Sequence, residues 1–189
     1  MAHSFPVLFF LLLTLSTQVL HLHAFMKLIP YCSDMEFVSK VKNINVSYIS
    51  YRPESITDQS FDFGVEIISP VRDLKLSLIY YPIMGNSTTR MALFKRTVDM
   101  CFYMQNPNSD RLLRVVYDYV RQRTNLPKRC PIPVARYYIR NIKPADVPVP
   151  TFIPETEFIL ELIYRNEVKR ETMVEFRCYG KLVRIIGRV

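Results

Sequence analysis

Cys101 and Cys130 bracket a segment whose pattern differs from that of the chain on either side. Before Cys101 and again after Cys130, apolar residues recur at alternate positions, the period of a half-buried strand. Between the two cysteines the spacing turns helical. Leu112, Leu113, Val116, Tyr117 and Val120 make one apolar stripe, and Arg111, Arg114, Asp118 and Arg121 make the opposite face. Ser109 supplies an N-cap and Asp110 an acid for the first turn, while Asn125-Leu126-Pro127 stops the helix. A bond between Cys101 and Cys130 would staple that helix at both ends to a body of strands, stabilising the fold by about 3 to 4 kcal/mol on the chain-entropy model. The chain is therefore predicted to be mainly β with one inserted amphipathic helix.

The N-terminus sets the compartment. An apolar run from Val7 to Leu15 has no Lys, Arg, Asp or Glu before it, and His21-Leu22-His23-Ala24 ends on a small residue. This pattern predicts a cleaved secretory signal over residues 1–24 and a secreted, extracellular protein. Removing those 24 of 189 residues leaves 165, which suits a single domain over 25–189. His3, His21 and His23 all fall within the signal, so the mature chain has no histidine for Ser/His/Asp or Cys/His catalysis or for a metal. Cys32, Cys101, Cys130 and Cys178 survive cleavage, and an even number in a secreted chain predicts two disulfides. Of the three possible pairings, Cys101 with Cys130 and Cys32 with Cys178 are favoured, the first closing the helix locally and the second tying the two ends of a sandwich. The C-x-x-C spacing of a zinc site is missing, and nothing in the sequence calls for a metal or a cofactor.

A net charge of +8 favours anionic partners such as a membrane surface or sulfated glycans. The cations are scattered among carboxylates rather than massed, which with secretion argues against nucleic acid. Asn45-Val46-Ser47 and Asn86-Ser87-Thr88 are N-glycosylation sequons. Asp99 is a strand-end carboxylate with no second acid or base placed near it, so it reads as a local hydrogen-bonding group rather than a catalytic one.

In order, strands are predicted over Phe37–Tyr51, over Phe61–Ile67 with Phe61, Phe63, Val65 and Ile67 inward, and beyond Pro70 with Leu74, Leu76, Leu78 and Tyr80 inward. The last two read as an antiparallel pair. Further strands follow over Met91–Phe102, Tyr137–Ile142, Phe158–Tyr164 and Thr172–Ile186, with Gly180 as a bulge or bend in the last. Pro144, Pro148, Pro150 and Pro154 fit a rim loop and no sheet. About seven antiparallel strands predict an immunoglobulin-like two-sheet β-sandwich. Twelve Phe, twelve Tyr and strands apolar on both faces give more apolar surface than one sheet-on-sheet layer needs. A lined cavity, a covered second face or a dimer would each use it.

Three stretches resemble the core of a large insect family of secreted proteins that includes the CheB chemosensory proteins and is similar to the ML lipid-recognition and ganglioside-activator sandwiches. They are Lys95-Arg96-Thr97-Val98-Asp99-Met100-Cys101, Asn125-Leu126-Pro127-Lys128-Arg129-Cys130-Pro131 and Pro150-Thr151-Phe152-Ile153-Pro154, and the likeness covers roughly Phe61 to Tyr164. The resemblance implies an ML-like sandwich, a hydrophobic pocket for lipid or pheromone-like ligands, and no enzyme. Two readings stay open. In one the protein carries a lipid between its sheets, with Phe63, Val65, Leu76, Leu78, Phe94 and Tyr117 as walls and Arg114 and Arg121 placed to meet a headgroup or membrane. In the other the core is filled and the protein is an interaction module acting on a receptor.

Overall fold

The computed structural model describes residues 25–84, 91–149 and 153–187. The predicted signal and the Asn86 sequon lie outside these residues. Leu28–Val183 form one compact unit, which the following concerns. Eight strands make two antiparallel sheets facing each other, a two-sheet β-sandwich. They are β1 (Phe25–Ser39), β2 (Ile44–Tyr51), β3 (Ser60–Ile67), β4 (Lys75–Ile83), β5 (Phe94–Asp99), β6 (Ala135–Ile142), β7 (Glu157–Asn166) and β8 (Glu171–Gly187). One sheet has the order β1-β8-β7-β4-β5 and the other β2-β3-β6. Phe63 of β3 meets Phe37 of β1 at 5.4 Å and Phe176 of β8 at 5.7 Å, both edge-on, which places the small sheet over the β1–β8 side of the large one.

The small sheet is narrower by two strands, and the inner faces of β4 and β5 are left for something else to cover. Two helices do so: α1 (Met100–Gln105), packed against β4 and β5, and α2 (Arg111–Arg121). The match is dimensional, since two strands span about 10 Å and a helix is about 10 Å across. At its start α2 is tied to β5, where Arg96 Nε donates to Asp110 Oδ2 at 2.7 Å. At its end the Tyr119 hydroxyl accepts from the Lys143 N–H at 2.9 Å and lies 3.2 Å from the Lys143 carbonyl, just past β6. So α2 runs from the edge of one sheet to the edge of the other. The Cys101–Cys130 disulfide joins the two feet of this helical segment, and Cys32–Cys178 joins β1 to β8, the favoured pairing.

Several local expectations are corrected. The predicted strand over Phe37–Tyr51 is two strands, because Ser39 and the polar Lys40–Asn43 stretch make a turn in which Ser39 Oγ donates to the Val41 carbonyl. There are two helices rather than one. The strand predicted over Met91–Phe102 is shorter, Phe94–Asp99: Asp99 ends it as a locally bonded strand-end residue, its Oδ1 accepting from the Phe102 N–H at 2.9 Å, and so starts α1, taking Met100 to Phe102 out of the sheet. Asp110, not Ser109, caps α2, accepting from the Leu113 N–H at 3.2 Å, while Ser109 closes a 3-10 turn over Pro107–Ser109. The strands expected to pair, β3 and β4, lie in different sheets, because residues 68–74 cross between them, held midway by the Val71–Ile132 bridge. Gly180 is not a bulge: it pairs in register with Phe158, and a Cβ there would collide with the Tyr31 carbonyl of β1. Close approach of two backbones requires this glycine.

One buried polar residue holds the edge strand. Gln59, 1% exposed, accepts from the Cys32 N–H at 2.9 Å and donates to the Cys32 carbonyl at 2.6 Å, satisfying both backbone groups of β1 beside the disulfide.

Candidate functional site

The sheets do not close on each other. Between them lies a cavity of about 950 Å³, walled by the inward residues of β3, β4, β7 and β8 and roofed by α1 and α2. The space beneath α2 belongs to the cavity. Alternation puts the walls in place: Leu76, Leu78 and Tyr80 on β4 and Phe158, Leu160, Leu162 and Tyr164 on β7 point inward because their sequence spacing is two. On α2, Leu113, Val116, Tyr117 and Val120 point down from one helical face. All six residues singled out in the sequence, Phe63, Val65, Leu76, Leu78, Phe94 and Tyr117, line this one space. Leu76 is buried and the other five are half-buried.

Tyr164 is half-buried and lines the cavity, and burial pushes its phenol above the ordinary value. The interior is not filled by side chains, as the interaction-module reading requires. The volume holds on the order of thirty groups the size of a water or a methylene, each taking about 30 Å³, and lies at the upper end of small-molecule pockets.

Few of the lining residues carry charge. The charged lining residues are Asp118, Arg121 and Lys128, all in the last turn of α2 or the segment after it. Arg121 and Lys128 are exposed. Arg114, on the outer side of α2, pairs with Asp118 at 3.4 Å. Elsewhere the polar atoms of the walls are tyrosine hydroxyls. Tyr103, on α1, is 1% exposed and edge-on to Tyr117 at 5.3 Å. Burial, with the negative charges of Asp110 and Asp118, pushes its phenol up to about 12. The Tyr80 hydroxyl is raised by burial and has the Thr156 hydroxyl beside it, without a well-formed hydrogen bond between them. Sequence reasoning did not single out Tyr103 or Tyr164. The alternation over Phe158–Tyr164 places Tyr164 inward, but Tyr103 becomes visible only once Asp99 is seen to start a helix.

Among the described residues no cluster of His, Cys, Asp or Glu could hold a metal ion, and no helix is long and apolar enough to cross a membrane. Asn45 is exposed on β2, its Nδ2 donating to Glu66 Oε2 at 3.1 Å.

No curated protein matches the chain. Among solved structures it is similar to chicken MD-1 complexed with lipid IVa, with 12% identity, 83% of this chain and 98% of that one covered, and a TM-score of 0.38. A likeness so distant says nothing about what this chain holds. Residues 75–160, from β4 through both helices into β7, match the model of a family described as a protein of unknown function, DUF1091.

Proposed function

We propose that the protein is a secreted, non-enzymatic carrier that holds a lipid or pheromone-like hydrophobic molecule between its sheets. The observation that carries this reading is the apolar cavity of about 950 Å³ in the middle of the fold, where a protein without a ligand would be close-packed. Phe63, Val65, Leu76, Leu78, Phe94 and Tyr117 are its ligand-binding walls. Two disulfides fit an oxidising compartment. With residues 1–24 as the signal, 25–189 make the mature single domain, glycosylated at Asn45 and Asn86. The net charge of +8 suits delivery to or collection from an anionic membrane or a receptor, and chemosensation is the process we assign.

Native mass spectrometry of the protein secreted from insect cells, followed by organic extraction, tests the reading. A stoichiometric long-chain lipid that is lost in Leu78→Lys, with the circular dichroism unchanged, supports it. A folded protein recovered empty, which also takes up no fatty acid or long-chain hydrocarbon from a panel, overturns it.

A further inference from the structure

The outer face of the small sheet holds the Asn45 sequon. Phe61, Phe63, Val65 and Ile67 of β3 line the cavity, so Asp62, Gly64 and Glu66 point the other way. Register then sets the neighbours in rows: Asn45, Glu66 and Arg136 make one, and Ser47, Gly64 and Tyr138 the next. Asn45 is tied into its row. Its Nδ2 donates to Glu66 Oε2 at 3.1 Å, and Glu66 Oε1 accepts from Arg136 Nε at 2.8 Å. An asparagine joined to a sugar keeps one N–H on that nitrogen, so the bond to Glu66 is compatible with glycosylation. The next row is low in the middle and aromatic at its far end. Gly64 carries no side chain, and Ser47 Oγ lies 2.7 Å from where a Cβ would stand. Tyr138 is exposed, as is Ile49 beyond Ser47. Arg140, on the side of Tyr138 away from Arg136, stacks on the ring at 4.3 Å, and among the described residues no other ring or cation stacks on it.

Two strands across at about 4.8 Å each and two residues along at about 3.4 Å each put the Cα atoms of Asn45 and Tyr138 about 12 Å apart. The asparagine stem and the pair of N-acetylglucosamines that begin an N-glycan span that distance. We propose that the Asn45 glycan lies back across the outer face of the small sheet, its core sugars over Gly64 and their C–H groups on the ring of Tyr138. The negative face of an aromatic ring attracts polarised C–H groups, and sugars lying flat keep their hydroxyls in water. The face is then an intramolecular carbohydrate site, and the glycan stabilises the sheet it covers. This rests on glycosylation at Asn45, part of the function proposed above, and gives that sugar a place and a role.

Protein secreted from insect cells tests this. Glycopeptide mass spectrometry reads occupancy at Asn45, and thermal unfolding by circular dichroism reads the effect of the sugar in two backgrounds. Ser47→Ala keeps Asn45 and abolishes the sequon. It is expected to lower Tm by about 2 to 4 °C in the wild type and by less than about 1 °C in Tyr138→Ala, because the sugar has lost its platform there. A loss of equal size in both backgrounds, or a loss in neither, overturns the inference and leaves the glycosylation standing. A second reading needs no variant: nuclear Overhauser contacts are expected between the Tyr138 ring protons and the core N-acetylglucosamines of the wild type. Their absence at an occupied Asn45 overturns the inference too. An unmodified Asn45 overturns the glycosylation itself and the inference with it.

Discussion

Val65→Phe separates a hollow sandwich from a close-packed one by the sign of its effect. Val65 is at the middle of β3, the central strand of the small sheet, between Val46 and Tyr137, and its side chain lines the cavity. In a packed core, four added carbons cost about 1 to 3 kcal/mol through forced rotamers and backbone shifts. Here the ring enters empty space. At about 0.8 kcal/mol per buried carbon the gain has a ceiling near 3 kcal/mol, and fixing the side chain takes back about 0.5 to 1. A net stabilisation of about 1 to 2 kcal/mol is expected in the delipidated protein, which for a domain of this size raises Tm by about 2 to 8 °C. The same four carbons occupy about 120 Å³ at about 30 Å³ each, over a tenth of the cavity, so the longest ligands should lose affinity. Urea unfolding followed by circular dichroism, run beside chain-length-dependent probe displacement, reads both effects. Destabilisation by more than about 1 kcal/mol with unchanged uptake of every chain length would refute the argument, since the site would then be packed and the ligand elsewhere.

Three more outcomes follow from the fold. Gly180→Ala should destabilise by about 2 to 4 kcal/mol, because the methyl meets the Tyr31 carbonyl and costs both packing and ladder hydrogen bonds; a midpoint in urea within about 0.2 M of wild type would contradict this. Cys101→Ser with Cys130→Ser opens a loop of sequence separation 29 and should cost about 3 to 4 kcal/mol, with amide exchange rising most over α1 and α2; exchange rising equally in β7 and β8 would show that the bridge does not act on the helical segment. Tyr103 has its folded-state value raised to about 12, above the ordinary 10, and Tyr164 and Tyr119 are raised by burial too. Their neutral forms favour the native state, so that stability is whole below pH 10 and is lost as the pH climbs from 10 towards 12. Ultraviolet titration of tyrosinate should show a late fraction appearing together with loss of the circular dichroism signal; complete titration near pH 10 in a native protein would disprove it.

What the sequence disclosed depended on whether a local pattern had one physical reading. Alternation in Phe61–Ile67 and from Leu74 to Tyr80 has period two and no competitor, so the inward residues of β3 and β4 were legible, and with them most of the cavity wall. The heptad-like stripe of α2 was equally plain. Pairing was not: β3 and β4 are neighbours in sequence and belong to different sheets, because Val71 bonds across to Ile132, a partner 61 positions away. Met100-Cys101-Phe102 fits a strand as well as a helical turn, and only the bond from Asp99 to the Phe102 N–H decides between them. Gln59 falls between the strands predicted over Phe37–Tyr51 and Phe61–Ile67 and is a buried brace for Cys32, a role set by tertiary contact alone. The Tyr103 hydroxyl, buried without a hydrogen-bond partner, was hidden for the same reason, since an absent neighbour leaves no trace in a string of residues.

The inequality of the two sheets, five strands against three, has a consequence for how such proteins can diverge. A chamber enclosed only by β-strands changes size through coordinated swaps on both sheets, each endangering the register. Here one side is a helical panel, anchored at its feet by the Cys101–Cys130 bridge and at its ends by Arg96 and Lys143. Residues of that panel can lengthen, shorten or turn while the strands keep their pairing. Selection for a new cargo can therefore act on about twenty residues of one removable wall and spare the frame that folds the protein.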